Sequence, residues 1–482
     1  MTLFQFADRK AELLGLENEY SKASASFVVV YGRRRVGKTA LLRHFMSGKN
    51  GVYFLATQES DLQNRRAFQR ELATAIDAPY LNRATEVDWE LLFEEVARVA
   101  QLDRFIVVID EFQYLGLSNT AFASLLQRIW DNTLKHANVM LILCGSLVSL
   151  MESQVLHYSS PLYGRRTSQI RLRPIKYADY HEFFGDDMSA KDLLWRYGAT
   201  GGIPRYAEVF LEAGARQPGE PAFWHAVQES FLNRTAVFYE EPHFLLSEEV
   251  KELGNYFSVL RAISQGNHKL GDIARTLQVK EINLRHYLKT LIDLDLLARH
   301  VPITEPHPEK SKKSLYRIDD AFLHFWFRFV HPNRSLLEMR RTDDVLQDIK
   351  QRYVEAHLSY VYESVCLEDF TNWSAANLPD IRLNRFGKWW DRQTEIDLMA
   401  ISDDTESIAF GECKLTSKPL SADVLDRLRA KASRVNWGGA QRKELYVLYS
   451  MSGFSDTLTH MAKADNRILL RNLTNRASSR SD

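Results

Sequence analysis

Cysteine is scarce: Cys144, Cys366 and Cys413 are the only three in 482 residues, each isolated in an apolar setting. That excludes a disulfide scaffold and argues against a zinc knuckle; it suits three packing thiols in a reducing cytoplasm. No sign of charge dominates. Lys plus Arg and Asp plus Glu number 62 each, so a wholly basic nucleic-acid coat is excluded and any such surface must be local. No uncharged apolar run reaches the length of a membrane span, and the N-terminus MTLFQFADRKAELLGLENEY carries early charges without a hydrophobic signal core. A chain acting away from membranes, in the cytoplasm, is expected. Internal repeats and low-complexity tracts are also missing, and with 45% hydrophobic and 26% charged residues neither disorder nor a fibrous architecture is indicated. The length exceeds what one core organises, and about three domains are expected.

What is present is an alternation of strand and helix patterns. The β-branched run SFVVVY (26–31) ends at a glycine and precedes the helical ALLRHFMSG; RFIVVID (104–110) and NVMLILCGS (138–146) follow, with amphipathic helical stretches between them. Such alternation implies a parallel sheet covered on both faces, assigned to 1–172. A helical lid, broken at GATGGIP, is expected over 173–245. Over 246–320 a helix, KLGDIARTLQ, EINLRHYLKTLIDLDLL and a basic Pro-containing hairpin follow the winged helix-turn-helix plan. The aromatic stretch AFLHFWFRFVHPNRS opens a linker, 321–350, and a second α/β domain is expected over 351–474. NRASSRSD, 475–482, reads as a disordered tail.

The segment Gly32-Arg33-Arg34-Arg35-Val36-Gly37-Lys38-Thr39, followed by Ala40, fits GxxxxGK[ST] between a strand and a helix. Backbone N–H groups of such a turn cradle phosphates, Lys38 reaches the terminal ones and Thr39 holds magnesium. IVVIDEFQYL delivers Asp110 and Glu111 to the carboxyl end of the second strand, where ligands of such sheets bind. Asp110 would hold the magnesium shell and Glu111 would orient or deprotonate the attacking water, although a helix N-cap acid pair has the same pattern. Ser146 is placed to sense the γ-phosphate, or simply closes a Gly-Ser turn. Arg165 and Arg166, in a turn before a further strand, are candidates for an arginine finger acting within the subunit or on a neighbour in a homo-oligomer; a solvated basic turn is the alternative.

YGRRRVGKT, IDEFQYL, CGS, PLYGRRT and GGIPRY occur in the order seen in the archaeal-type ATPase family, an AAA+-like branch related to the STAND ATPases, and residues 1–240 resemble it. The resemblance implies an ASCE-type P-loop fold, ATP with Mg2+, and Lys38, Thr39, Asp110 and Glu111 in the roles above. It implies no substrate.

On EINLRHYLKTL, Ile282, Leu284, Tyr287 and Leu288 fall near one helical face, leaving Asn283, Arg285, His286 and Lys289 for a major groove, while Lys310, Lys312 and Lys313 of the hairpin reach phosphate. DNA is the expected partner, protein docking the alternative.

SIAFGECKLTSK sets Glu412 and Lys414 two residues apart, on one face of a strand, and TEIDLMAIS sets Asp397 on its own. A salt-bridged strand end would look the same. Three charged groups converging on one point are costly to bury without a function, and a magnesium or manganese ion would offset the repulsion between the acids. The pattern D…ExK resembles the PD-(D/E)xK nuclease family, with its α/β restriction-endonuclease-like fold. The resemblance implies Asp397 and Glu412 as metal ligands, Lys414 as the group assisting hydrolysis, and Glu363 as the helical glutamate. The proline expected before the first acid is absent, since Ile396 stands there. The expectation is therefore a nucleotide-controlled, metal-dependent nuclease. The other reading is a STAND-like ATP-dependent switch whose nuclease fold only docks DNA or a protein.

Overall fold

Strand-forming runs of Val, Ile and Leu become the sheet of the N-terminal part. In the computed structural model, which describes residues 7–473 except 86, 186 and 440, they form β1 (Ser26–Tyr31), β2 (Gly51–Leu55), β3 (Phe105–Asp110), β4 (Val139–Gly145) and β5 (Ser168–Arg171). The order is β2-β3-β4-β1-β5 and every pairing is parallel. β1, β3 and β4 are buried at every residue, as a parallel sheet covered on both faces demands. β2 has no counterpart in the sequence reading. It is a short edge strand whose residues alternate, Val52 and Phe54 buried against Tyr53 and Leu55, which gives only a weak signal.

The chain forms two compact units. The first holds residues through Ile175 together with Ile203–Arg205 and Phe244–Lys251; the second holds Lys176–Gly202, Tyr206–His243 and the residues from Glu252 onward.

In the second unit, helices Leu253–Ser264, Leu270–Leu277 and Glu281–Asp293 precede the antiparallel hairpin of β6 (Leu297–His300) and β7 (Leu315–Ile318). Leu284, Leu288 and Leu291 turn inward, but Ile282 is 63% exposed, so the inward face of this helix starts one turn later than its hydrophobic pattern suggests. Residues 321–330 are helical, and Phe322, Phe325, Trp326 and Phe329 are fully buried with Tyr206, Phe231, Phe238 and Tyr353. The aromatic run is thus core. Beyond it lies a mixed sheet, β12-β11-β10-β9-β8, built from β8 (Arg385–Trp390), β9 (Glu395–Ile401), β10 (Ser407–Lys414), β11 (Lys443–Ser450) and β12 (Ile468–Arg471). β8 to β10 run antiparallel; β10 to β12 run parallel. Helix Ala422–Ala432 covers one face through Val424, Leu425 and Leu428, packed with Ile408, Phe410 and Leu448.

All three thiols are free and buried. No helix among the described residues is long and apolar enough to cross a membrane. The segment 475–482 lies outside the described residues.

Trp326 is fully buried and its indole N–H donates to the Tyr239 carbonyl at 3.2 Å. Trp326→Ala is expected to cost about 3–5 kcal/mol, from the lost ring and the cavity it leaves. A fall in the denaturant midpoint of the transition reporting the second unit checks this; an unchanged midpoint would show that the ring does not support that core.

Candidate nucleotide site and acid–lysine site

The sheet order decides what meets at its carboxyl edge. β4 lies between β3 and β1, so the loop after β1, the acids ending β3 and Ser146 after β4 come to one crevice. The loop itself is built on backbone that side chains resist. Gly32 has φ 151°, and a Cβ there would stand 2.3 Å from the Leu172 carbonyl oxygen; Gly37 has φ 93°, with Pro204 packed against it. Val36 is fully buried, Arg35 takes φ 70°, and Thr39 and Ala40 open the helix Lys38–Met46 on its exposed side. Lys38 is buried and donates to the carbonyls of Gly32 at 2.8 Å and Arg33 at 2.9 Å. Burial holds its pKa below the usual value for an amine, against the pull of Glu111 and Asp110.

Asp110 is held without a cation. Its Oδ2 accepts from Thr39 Oγ1 at 2.9 Å and from the hydroxyl of Tyr53, and its Oδ1 accepts from the Glu111 N–H at 2.9 Å. Thr39 and Asp110 thus present hard oxygens at one point, which fits a magnesium ion. Glu111, at φ 54°, accepts from Ser146 Oγ at 2.6 Å, from the Ser146 N–H at 3.3 Å and from the amide of Gln113. Tyr53 and Gln113 had escaped the sequence reading. Tyr53 sits on the unrecognised strand β2; Gln113 lay in plain view within DEFQYL, but only the turn after β3 reveals its direction.

The two arginines part company. Arg165 forms a forked ion pair with Asp131, Nε at 3.1 Å from both oxygens and Nη2 at 2.7 Å, and also donates to the Pro161 carbonyl at 2.8 Å. An arginine so committed braces its own turn. Arg166 lies over the Tyr163 ring, 5.4 Å from its centre, and remains the candidate finger of the pair.

In the second unit the antiparallel register Gly411↔Leu398, continued by one residue, sets Asp397 opposite Glu412 on the same face. Lys414 Nζ lies 2.7 Å from Glu412 and 3.7 Å from Asp397, so one cation serves both acids. Burial, then the charges of Glu363 and Glu412, push Asp397 up to about 6, although it accepts from the Cys413 N–H at 3.1 Å. Burial works against the Lys414 ammonium, but Asp397 and Glu412 outweigh it and hold its pKa above the usual value. Glu363, on the helix Ser359–Asn377, is ion-paired with Lys388. Sequence reasoning missed Lys431, from the helix Ala422–Ala432, whose Nζ contacts both oxygens of Glu412 at 3.0 and 2.7 Å. A lysine on an amphipathic helix gives no sign that it turns toward a strand end.

Among the described residues no group of three or more His, Cys, Asp and Glu is arranged to hold a metal. Asp397 and Glu412, bridged by one ammonium, nonetheless match the sparse carboxylate set that usually binds Mg2+ when water and phosphate oxygens supply the rest. Such an ion would compete with Lys414 and Lys431 for Glu412.

Residues 6–210 match the family described as an ATPase domain predominantly from Archaea. The chain is 35% identical over 409 residues to an uncharacterized protein of Methanocaldococcus jannaschii, an alignment covering 85% of this chain and 87% of that one. The chain belongs to the archaeal-type P-loop ATPase family. Membership supports ATP binding and hydrolysis as its activity. Residues 326–427 of this ATPase match a second family, described as "Archaea bacterial proteins of unknown function". That match takes in Glu363, Asp397, Glu412 and Lys414 and stops short of Lys431. Among solved structures, a Walker-type ATPase of Pyrococcus abyssi shares the fold, with TM-score 0.51 and 21% identity over 67% of this chain and 96% of that one. The ORC2 protein of Aeropyrum pernix aligns with TM-score 0.47 and 15% identity, over 72% and 96% of the two chains.

Two variants separate binding from chemistry at the P-loop. Lys38→Ala is expected to lose ATP affinity. Glu111→Gln is expected to bind ATP and turn it over about 100-fold more slowly, as loss of a general base does. Equal turnover by Glu111→Gln and the unaltered protein at saturating ATP would remove Glu111 from that role.

Proposed function

We propose that this ATPase uses its nucleotide state to control DNA engagement by the helix–hairpin module and metal-dependent phosphodiester cleavage by the C-terminal domain. At the P-loop, Lys38 leaves the carbonyls of Gly32 and Arg33 for the nucleotide phosphates, and Thr39 and Asp110 hold Mg2+. Glu111, oriented by Ser146 and Gln113, accepts the proton of the attacking water. Arg166 is the group a neighbouring copy would need, if the ATPase works as a homo-oligomer.

The module spanning 252–320 reads as a winged helix. A cleft of about 820 Å³ between the Glu281–Asp293 helix and the hairpin is lined by Lys269, Arg285, Lys289, Arg299, Lys310 and Lys312. Lys269, Arg285, Lys289, Lys310 and Lys312 are exposed, which suits phosphate contacts. Lys313, expected to join them, is ion-paired with Glu305, and Arg299 is spent on the carbonyls of Pro308 and Ser311. Neutralising Lys310 and Lys312 is expected to weaken duplex binding and flatten its log–log salt dependence by up to about 0.9 per lost phosphate contact. An unchanged slope would turn the hairpin toward a protein partner.

The observation that carries the cleavage reading is the meeting of Asp397 and Glu412 on the single ammonium of Lys414. A bound divalent ion would supply Lewis acidity and an activated water. Asp397 and Glu412 would hold it, Lys414 would steady the charge developing on phosphate, and Glu363 would tune the rim through Lys388. A second reading, an ATP-dependent switch with a catalytically silent fold, is favoured by Lys431, because both oxygens of Glu412 already serve ammonium groups.

Cleavage of single- and double-stranded DNA and RNA with Mg2+, Mn2+ or chelator, each with and without ATP, decides between them. Cleavage should require the ion and vanish in Asp397→Ala and Lys414→Ala. Mn2+ affinity should rise in Lys431→Ala and fall in Asp397→Ala. Ion binding without cleavage on every substrate would favour the silent switch.

A further inference from the structure

Residues 244–251 stand far along the sequence from the P-loop, yet belong to the first unit and end at the nucleotide site. Leu246 is fully buried there, with Leu245 and Val250 nearly so, which anchors the segment. Two successive acids then reach in. Glu248 pairs with Arg34 of the P-loop, 2.6 Å from its Nη1, and Arg34 Nη2 donates to the Tyr114 hydroxyl at 2.9 Å. Glu249 accepts from the Val148 N–H at 3.3 Å and from Ser149 Oγ at 3.2 Å.

Both contacts lead to Glu111. Tyr114 donates its backbone N–H to the Glu111 carbonyl at 3.0 Å. Val148 and Ser149 continue the turn of Ser146, whose N–H and Oγ both hold the Glu111 carboxylate. A carboxylate that only decorated a surface would not keep this place, since burial pushes Glu249 up to about 7, against its hydrogen bonds and the nearby charge of Lys38.

We infer that Phe244–Lys251 is a strap belonging to the ATPase machinery, and that Glu249 is a positioning residue for hydrolysis, fixing the Val148–Ser149 turn so that Ser146 holds Glu111 toward the attacking water. The inference rests on the reading of Gly32–Thr39 and Glu111 as the ATPase site. Chain continuity gives it a consequence: the strap runs directly into the helix Leu253–Ser264, so hydrolysis competence and the start of the helix–hairpin module share one eight-residue segment. Neither glutamate has a motif around it; SEEV reads as the start of a charged helix.

The test uses the full-length protein. In Glu249→Ala the kcat for ATP should fall about tenfold or more while affinity for a fluorescent ATP analogue stays within about twofold, the split expected when a reacting group is misplaced and phosphate binding is kept. Glu249→Gln should recover most of the rate, because its amide oxygen still accepts from the turn. Ser149→Ala should do less damage and be non-additive with Glu249→Ala, as partners in one contact are. Backbone hydrogen exchange over 146–149 should quicken in Glu249→Ala. An unchanged kcat in Glu249→Ala, or strictly additive losses in the double variant, would overturn the inference. Should the unaltered protein bind nucleotide without turning it over, the ATPase reading fails instead; unchanged exchange over 146–149 would then overturn the strap independently.

Discussion

The rest of the structure depends on bringing an ammonium and two carboxylates into the closed carboxyl edge of a parallel sheet before any nucleotide is present. An isolated buried charge costs several kcal/mol even after relaxation. Ion-pairing Lys38 directly with Asp110 or Glu111 would remove the cost and also spend the lysine. The fold instead satisfies each group with neutral donors and acceptors: two loop carbonyls for Lys38, two hydroxyls and an N–H for Asp110, and Ser146 with Gln113 for Glu111. Sheet order makes this economical, because β4 between β3 and β1 sets the serine turn beside both the acids and the loop. The site is preorganised for charge that arrives from outside, the arrangement in which electrostatic stabilisation costs no reorganisation.

The C-terminal site answers the same problem in the opposite way. Asp397, Glu412 and Glu363 crowd together, and lysines rather than hydroxyls quiet them: Lys414 bridges two acids, Lys431 doubles on Glu412 and Lys388 takes Glu363. Charges compensated by mobile ammonium groups can be re-partnered, whether by a cation on the acids or by a phosphodiester on the lysines. Lys431 therefore sets the competition that any ion must win.

Much of this was legible because the motifs carry their own geometry. SFVVVY, IVVID and NVMLILCGS had to be buried strands, and GRRRVGKT had to be a turn opening a helix, so the P-loop and the two acids were placed to within a residue. The alternation in SIAFGECK put Glu412 and Lys414 on one face before any pairing was known. What stayed hidden depends on distance in sequence. β2 is too short and too mixed to announce itself, and Tyr53 went with it. Arg165 looked free in its turn because Asp131 stands on a separate helix. Lys431, Glu248 and Glu249 gain their meaning only from which strand end or loop their elements pack beside. The aromatic run from 321 read as a linker's edge, although so many rings in ten residues could only be core.

Thermodynamic linkage tests the central claim, that nucleotide state and DNA engagement are coupled within this one chain. Duplex DNA affinity of the Glu111→Gln protein, measured with ATP, with ADP and with no nucleotide at one salt concentration, should differ between the ATP and ADP states. Saturating DNA should then change ATP affinity by the same factor, as reciprocity requires. Identical DNA affinities in all three states, with ATP demonstrably bound, would contradict the account.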